Sequence, residues 1–258
     1  MLKTQETVPQ LVQRLETQYK TGETTISEYV SWSLKDNTDK IDAYLNSKHT
    51  SGEKDSKNRD KPFFNIVTAA VNIWYRATDI DRKNIKITAT NTKEVIPAFL
   101  ASVHLQNWMK RENFGSFLNE WGRTLARYGS AVVKFVKKDG RLVPSVVPWN
   151  RLIVDQIELD NAPVIEVLDL TEDQLRQNPA YDQDMVDELC NAKEARETLD
   201  GTKKDTKSDF IRVYEVHGML PLSMLKTAQN KRVTKADNET YVQQMHLISF
   251  VGGDKKGS

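Results

Sequence analysis

The chain has 258 residues, enough to bury a sizeable core, with 38% hydrophobic and 28% charged residues and a formal net charge of +1. A single cysteine, Cys190, excludes a disulfide framework and fits a reducing compartment. The opening MLKTQETVPQLVQRL lacks a signal-peptide core, and the most apolar run, Phe63 to Ala77, is broken by Asn65, Asn72 and Arg76 and is too short to span a bilayer, so an intracellular, soluble protein without a membrane partner is expected.

Charge is unevenly spread. Residues 1–154 carry 24 Lys/Arg against 16 Asp/Glu, residues 155–200 carry 3 against 14, and residues 201–258 carry 10 against 6. The middle block includes Asp155, Glu158, Asp160, Glu172, Asp173, Asp182, Asp184, Asp187 and Glu188. Such a block repels phosphate, which leaves it as a solvated helical surface, a partner surface or a lining that does not hold DNA.

In chain order, Val8, Leu11, Val12, Leu15 and Tyr19 recur at helical spacing, and Gly22 ends that helix. Thr25 to Glu28 reads as a capping box, with Ile26, Tyr29, Val30 and Trp32 making a short sticky face beyond it. Ile41, Tyr44 and Leu45 mark another helical piece. NSKHTSGEKDSKNRDK, residues 46–61, has no large apolar residue and reads as a linker. The helix from about Phe63 to Ala77 is apolar on nearly every side, which predicts burial between other elements. Ile85, Ile87 and Ala89 alternate with Lys86 and Thr88 as in a half-buried strand.

Val95, Ile96, Phe99, Leu100, Val103 and Leu105 mark the next helix, with Pro97 tolerable in its first turn. Phe114, Phe117, Leu118, Trp121, Leu125 and Tyr128 form a core-facing stripe that ends at the expected C-cap, Gly129. Ala131 to Val136, the Asp139-Gly140 turn and Leu142 to Val147 form a hairpin. Ile165 to Leu168 is a strand, and Thr171 to Gln174 caps a helix that Pro179 stops. Residues 181–199 form an acidic helix, DGTKKDTKSD at 200–209 is a second linker, and Phe210 to Val216 and Met245 to Val251 are strands flanking an exposed basic loop, KTAQNKRVTKADNET.

Catalytic signatures are scarce. No GxxxxGK phosphate loop, nucleophile elbow or dinucleotide-binding glycine pattern occurs. The four histidines stand far apart, so neither a zinc site nor a cofactor is expected. Asp79 with Asp81, or Asp182 with Asp184, are the carboxylate pairs a metal-dependent nucleic-acid enzyme would need. Basic residues gather at Arg82 and Lys83, at Arg123 and Arg127 one turn apart, at Lys137, Lys138 and Arg141, and at Lys231, Arg232 and Lys235. Each group suits a phosphate or a partner carboxylate. Trp74, Trp108, Trp121 and Trp149 fit core or subunit contacts, and Trp32 fits an interface. Asp182, Asp184, Asp187 and Glu188 form the candidate acidic interface.

Three passages together resemble the wing-forming N-terminal half of tailed-bacteriophage portal proteins, over about residues 60–220: FNIVTAAVNIWYRATDIDRKNIKI, RTLARYGSAVVKFVKKDGRLVPSVVPWNRLIVDQ, and VIEVLDLTEDQLRQ followed by FIRVYEVHGMLP. The resemblance implies a non-enzymatic ring component, typically dodecameric, at the virion's portal vertex, assembled in the host cytoplasm. Implied partners are other copies of itself, the terminase large subunit, the major capsid protein, neck or tail adaptor proteins, and double-stranded DNA that passes without specific contact. A usual portal continues through stem helices, a clip and a crown. This chain is shorter, which implies a fragment, the ordered part of a longer protein, or a split or degenerate relative, and assigns no channel residue.

The expected fold is therefore α+β, with helices on a small, mainly antiparallel sheet, wing-like, with an extended N-terminal arm. The expected segments are a helical arm and linker at 1–60, an α+β core at 61–170, an acidic helical segment and linker at 171–208, and a β-rich segment at 209–258. The alternatives are another phage head–neck adaptor or interaction module, and the metal-dependent enzyme. The acidic block and the basic segments flanking it suit head-to-tail attraction between neighbouring copies.

Overall fold

The computed structural model describes residues 6–22, 24–27, 30–50, 52–77, 80–138, 140–155, 162–178, 181–199 and 210–250, with the side chains of 24–27, 30–32, 138 and 192–199 outside the description. The elements in chain order are α1 (Val8–Thr21), β1 (Thr24–Ser27), β2 (Val30–Trp32), α2 (Leu34–Leu45), α3 (Ile66–Ala77), α4 (Val95–Arg111), α5 (Phe114–Tyr128), β3 (Val132–Lys138), β4 (Arg141–Val147), β5 (Leu152–Ile153), β6 (Val164–Thr171), α6 (Glu172–Gln177), α7 (Gln183–Leu199), β7 (Phe210–Pro221), α8 (Leu222–Ala228), α9 (Lys235–Glu239) and β8 (Tyr241–Ser249). The fold is mixed α+β, and every described strand pairing is antiparallel.

The chain divides into two compact units, residues 1–34 with 151–258, and residues 35–150. These limits differ from the segments expected from composition. The N-terminal helix α1 belongs with the C-terminal sheet because the Tyr214 hydroxyl donates to both carboxylate oxygens of Glu16 at 3.3 Å.

The first unit is built on a four-stranded sheet in the order β5-β6-β7-β8. Its core packs Leu175 of α6 and Val186 and Cys190 of α7 against Ile211 and Val213 of β7, with Leu168, Leu170 and Leu189 around them. Asp169 and Arg212 face each other across β6 and β7 and form a two-pronged ion pair at 2.8 and 3.0 Å. Gly218 in β7, at φ +153°, lies so close to β6 that a Cβ there would sit 2.9 Å from Pro163 Cα, a contact that leaves room for glycine alone. The buried amide of Gln244 donates to the Leu220 and Pro221 carbonyls at 2.8 and 2.9 Å, so a polar group inside β8 is satisfied.

Asp237 ties α8 to α9. Lys226 Nζ donates to its Oδ1 at 2.6 Å, and the Thr234 amide and hydroxyl donate to its Oδ2 at 2.7 and 2.8 Å. The expected basic loop at 226–240 is thus two short helices joined through a carboxylate, and Lys226 is an internal tether. Two further expectations are corrected. Residues 24–27 and 30–32, within a stretch that read as a capping box and a sticky face, pair as the antiparallel strands β1 and β2, in agreement with their β-branched and aromatic content. Residues 85–89 form no strand, and the Ile85 carbonyl is instead taken by the Gln106 amide of α4 at 2.7 Å.

The second unit centres on α5, an amphipathic helix that ends at Gly129 in the left-handed region at φ +76°. Asn113, at φ +51°, makes the turn from α4 into α5. Trp108 of α4 packs on Phe114, and Phe114 on Phe117, with ring centroids 5.4 and 5.0 Å apart. Tyr75 of α3 donates to Asn119 at 3.2 Å. The Tyr128 hydroxyl donates to Asp42 of α2, and burial followed by that bond raises its pKa. Trp149, buried at the end of the β3–β4 hairpin, donates through Nε1 to the Ser130 carbonyl at 3.0 Å. The hairpin runs in register from Val132↔Val147 to Lys138↔Arg141, as expected, with Asp139 of its turn outside the described residues.

Truncating Leu175, which is fully enclosed in the first unit's core, is expected to cost about 2–5 kcal/mol in chemical denaturation of Leu175→Ala. The bonds from Lys226, then those from Thr234, hold the Asp237 carboxyl down at about 2. A carboxyl depressed on folding contributes fully above its unfolded value of about 3.9 and loses that contribution as pH falls. Asp237→Asn should therefore lower the melting temperature at neutral pH, and thermal melts should show the gap from the unsubstituted chain closing below about pH 4.

Candidate subunit interface

Among the described residues, one side of α3 is the more deeply packed. Thr68, Val71 and Tyr75 lie at helical spacing and are half-buried, on the face that carries the Tyr75 bond to α5. On the opposite face Ile66, Ala70, Ile73, Trp74 and Ala77 are exposed. The helix α4 repeats the arrangement: Ala98, Ser102, Leu105 and Met109 turn inward, while Ile96, Phe99, Leu100 and Val103 form an exposed i, i+3, i+4, i+7 stripe. Phe64, Ile66, Ile73, Trp74, Ile96, Phe99 and Leu100 are each 60–79% exposed. The burial expected for α3 from its all-round apolarity is overturned within this chain. The same composition fits a helix with one face on α5 and the other left for a further surface.

Three of the expected basic side chains, Arg123, Arg141 and Lys231, have contacts within the chain. Arg123 and Arg127 are exposed on one face of α5 as their spacing predicts, and the Arg123 guanidinium stands 5.3 Å over the Tyr75 ring, against α3. Arg82 and Lys83 lie in a short 3-10 turn whose first residue, Asp81, accepts from the Lys83 amide at 3.0 Å. Arg141 reaches 4.0 Å from Glu112, which Arg111 also contacts at 2.8 Å, so the hairpin tip leans on the α4–α5 junction. Lys137 is exposed beside it, and the Lys138 side chain is outside the described residues. Lys231 donates to Gln229 at 2.8 Å, while Arg232 and Lys235 are exposed. These groups lie on separate elements of the two units. Trp32 ends β2, with its side chain outside the described residues.

The acidic candidates do share an element. Asp182 starts α7 and accepts from the Asp184 amide at 3.1 Å, Asp187 pairs with Arg176 of α6, and Asp184 and Glu188 are exposed. Asp155 is exposed just after β5, whereas Glu158 and Asp160 lie outside the described residues. The pair Asp79–Asp81 is only half visible, because Asp79 lies outside the described residues. Among the described residues no group of three or more His, Cys, Asp or Glu could hold a metal ion, and no helix is long and apolar enough to cross a membrane.

Charge follows the division into units. Residues 35–150 carry 20 Lys/Arg against 12 Asp/Glu, and residues 1–34 with 151–258 carry 17 against 24. One unit is therefore +8 and the other −7. Sequence reasoning finds the acidic block and misses the exposed stripes. Their signal lies in the Ile96, Phe99, Leu100, Val103 spacing, which a core-facing helix shares.

Against known proteins, the chain matches no family model and no curated protein.

Replacing Ile96 and Phe99 together by serine is expected to leave the unit folded, because both side chains stand mostly in water. Sedimentation velocity across a concentration series should then show weaker self-association than in the unsubstituted chain.

Proposed function

We propose that this chain is a ring-forming subunit of a phage portal, a structural conduit for double-stranded DNA at one capsid vertex, docking a packaging motor and later neck or tail proteins. The observation that carries the reading is the pair of apolar stripes on α3 and α4, whose opposite faces pack within the second unit. Large side chains left in water at this density call for a second protein surface. Burying one such side chain is worth about 1.5–3 kcal/mol.

The division into a +8 and a −7 unit supports a contact between the basic unit of one copy and the acidic unit of another. A two-fold pairing makes such a contact twice between two copies, and a head-to-tail pairing makes it once with each neighbour. A heterologous contact places the basic unit of one copy near the acidic unit of the next, and such a contact closes into a ring when its rotation allows. The portal identity itself rests on the resemblance of the three sequence passages, and with it come the terminase, capsid and adaptor partners. An adaptor or interaction module would use the same stripes for a different partner, so the number of copies in the assembly separates the two.

Electron microscopy of the purified protein with particle mass measured alongside should show closed rings of a dozen or so copies around a duplex-wide hole. A strictly monomeric or dimeric particle, in this form and in any longer natural form, would remove the portal reading. Neutralising Asp182, Asp184 and Glu188 to Asn, Asn and Gln should weaken assembly and flatten its dependence on salt. Unchanged salt sensitivity would dismiss the electrostatic part of the proposal.

A further inference from the structure

The first unit holds a groove of about 690 Å³, bordered by α1, α7, α8 and β8, and all of its lining residues belong to that unit. Its floor is apolar: Leu175, Val186 and Val213 are each at most 4% exposed. Its rim carries Met185 and Met245, which are 67% and 49% exposed, and methionine adapts its shape to what it meets. Asp182 and Glu188 also line the groove, and both are exposed. An apolar cleft of this volume with a few polar groups is the usual form of a binding site.

The second unit carries a helix face that fits such a groove. On α4, Ile96, Phe99, Leu100 and Val103 are exposed at i, i+3, i+4 and i+7, the spacing of the anchors by which an amphipathic helix lies in an apolar groove. The four anchors span about 10 Å along the helix. The same face continues through Asn107 to Lys110, both exposed. At 3.6 residues per turn, Lys110 stands within about 40° of Ile96, so the cation and the anchors point the same way. The exposed face of α3 has Ala70 at the position that Leu100 holds on α4, and gives a shallower anchor. One stripe against another would bring two +8 units together, whereas the groove lies in the −7 unit.

We propose that the groove of one copy receives α4 of a second copy. Ile96, Phe99, Leu100 and Val103 seat among Met185, Leu189 and Met245, and Lys110 is directed to the carboxylates of Asp182 and Glu188. Apolar burial supplies the affinity, and the Lys110 contact sets the direction in which the helix lies. The contact joins the acidic unit of one molecule to the basic unit of the next through two different surfaces, so it can be repeated from copy to copy. This docking rests on the self-assembly reading above, and adds to it which surface meets which.

Two full-length variants test it, Phe99→Glu on the stripe and Met185→Glu in the groove. Both side chains stand mostly in water, so both variants are expected to melt as the unsubstituted chain does. Each sets a carboxylate into an apolar contact and should associate about tenfold or more weakly in sedimentation velocity. Mixed in equal amounts, the two variants retain one intact stripe and one intact groove between them. They should then pair and stop at two copies, a recovery that misfolded variants would not give.

Loss in each variant with pairing on mixing supports the docking. Normal assembly of Phe99→Glu means that another surface fills the groove, and normal assembly of Met185→Glu means that the stripe docks elsewhere. Either result overturns the docking while self-assembly stands, and so does loss in both variants without pairing on mixing. An unsubstituted chain that stays monomeric at all concentrations removes both the docking and the ring.

Discussion

Residues 35–150 depend on how much apolar surface one amphipathic helix can cover. The helix α5 holds α3 through Tyr75, α4 through Trp108 and Phe114, and the hairpin through the Tyr128–Trp149 corner. It meets one face of α3 and one of α4. Both helices carry apolar side chains on two faces, so what α5 covers leaves as much uncovered. Seven large side chains stand in water on those faces and on the residue leading into α3. Burying them would release roughly 10–20 kcal/mol before the costs of association are subtracted.

Charge constrains what can face what. Apolar burial is indifferent to direction. The opposite signs of the two units favour contacts of a basic unit with an acidic one over contacts between like units. Much of the local charge is already spent inside each unit. Arg212 is held by Asp169, Arg176 by Glu172 and Asp187, and Asp237 by Lys226. The exposed pairs of Arg212 and Arg176 contribute little to stability individually, unlike that of the buried Asp237. Their effect is to take those charges out of the contest, leaving Glu188, Asp184, Arg232 and Lys235 among the exposed charges with no ion pair described.

Much of the local architecture was legible in the sequence because its signals are short-range. Gly22 and Gly129 end their helices where expected, and Thr171 and Gln174 form the capping box ahead of α6. The hairpin register follows from the spacing between two apolar runs. The failures share a cause, which is that the deciding partner is distant in sequence. Thr25 and Glu28 fit a helix cap locally, but the pairing of Thr25 with Ser31 wins. Ile85 to Ala89 alternate like a strand yet pair with no strand among the described residues, and Gln106 takes the Ile85 carbonyl that a ladder would have used. Lys226 reads as one more loop cation until Asp237, on the next helix, is placed against it. For α3, composition reported apolar surface correctly and could not report whether the covering surface belongs to the same chain.

The candidate interface was legible only in part for the same reason. An acidic run can be counted in a sequence, and it appeared as Asp182 to Glu188. An exposed apolar stripe cannot be told from a buried one, because both obey the i, i+3, i+4 spacing that Ile96, Phe99, Leu100 and Val103 display. What separates these cases is the surface already used. Once α5 is seen to engage Tyr75 and Trp108, the remaining faces are fixed by subtraction. For α3 and α4 that remainder is the apolar stripes, and the i, i+3, i+4 spacing that marks them in the sequence carries no information on which surface covers them.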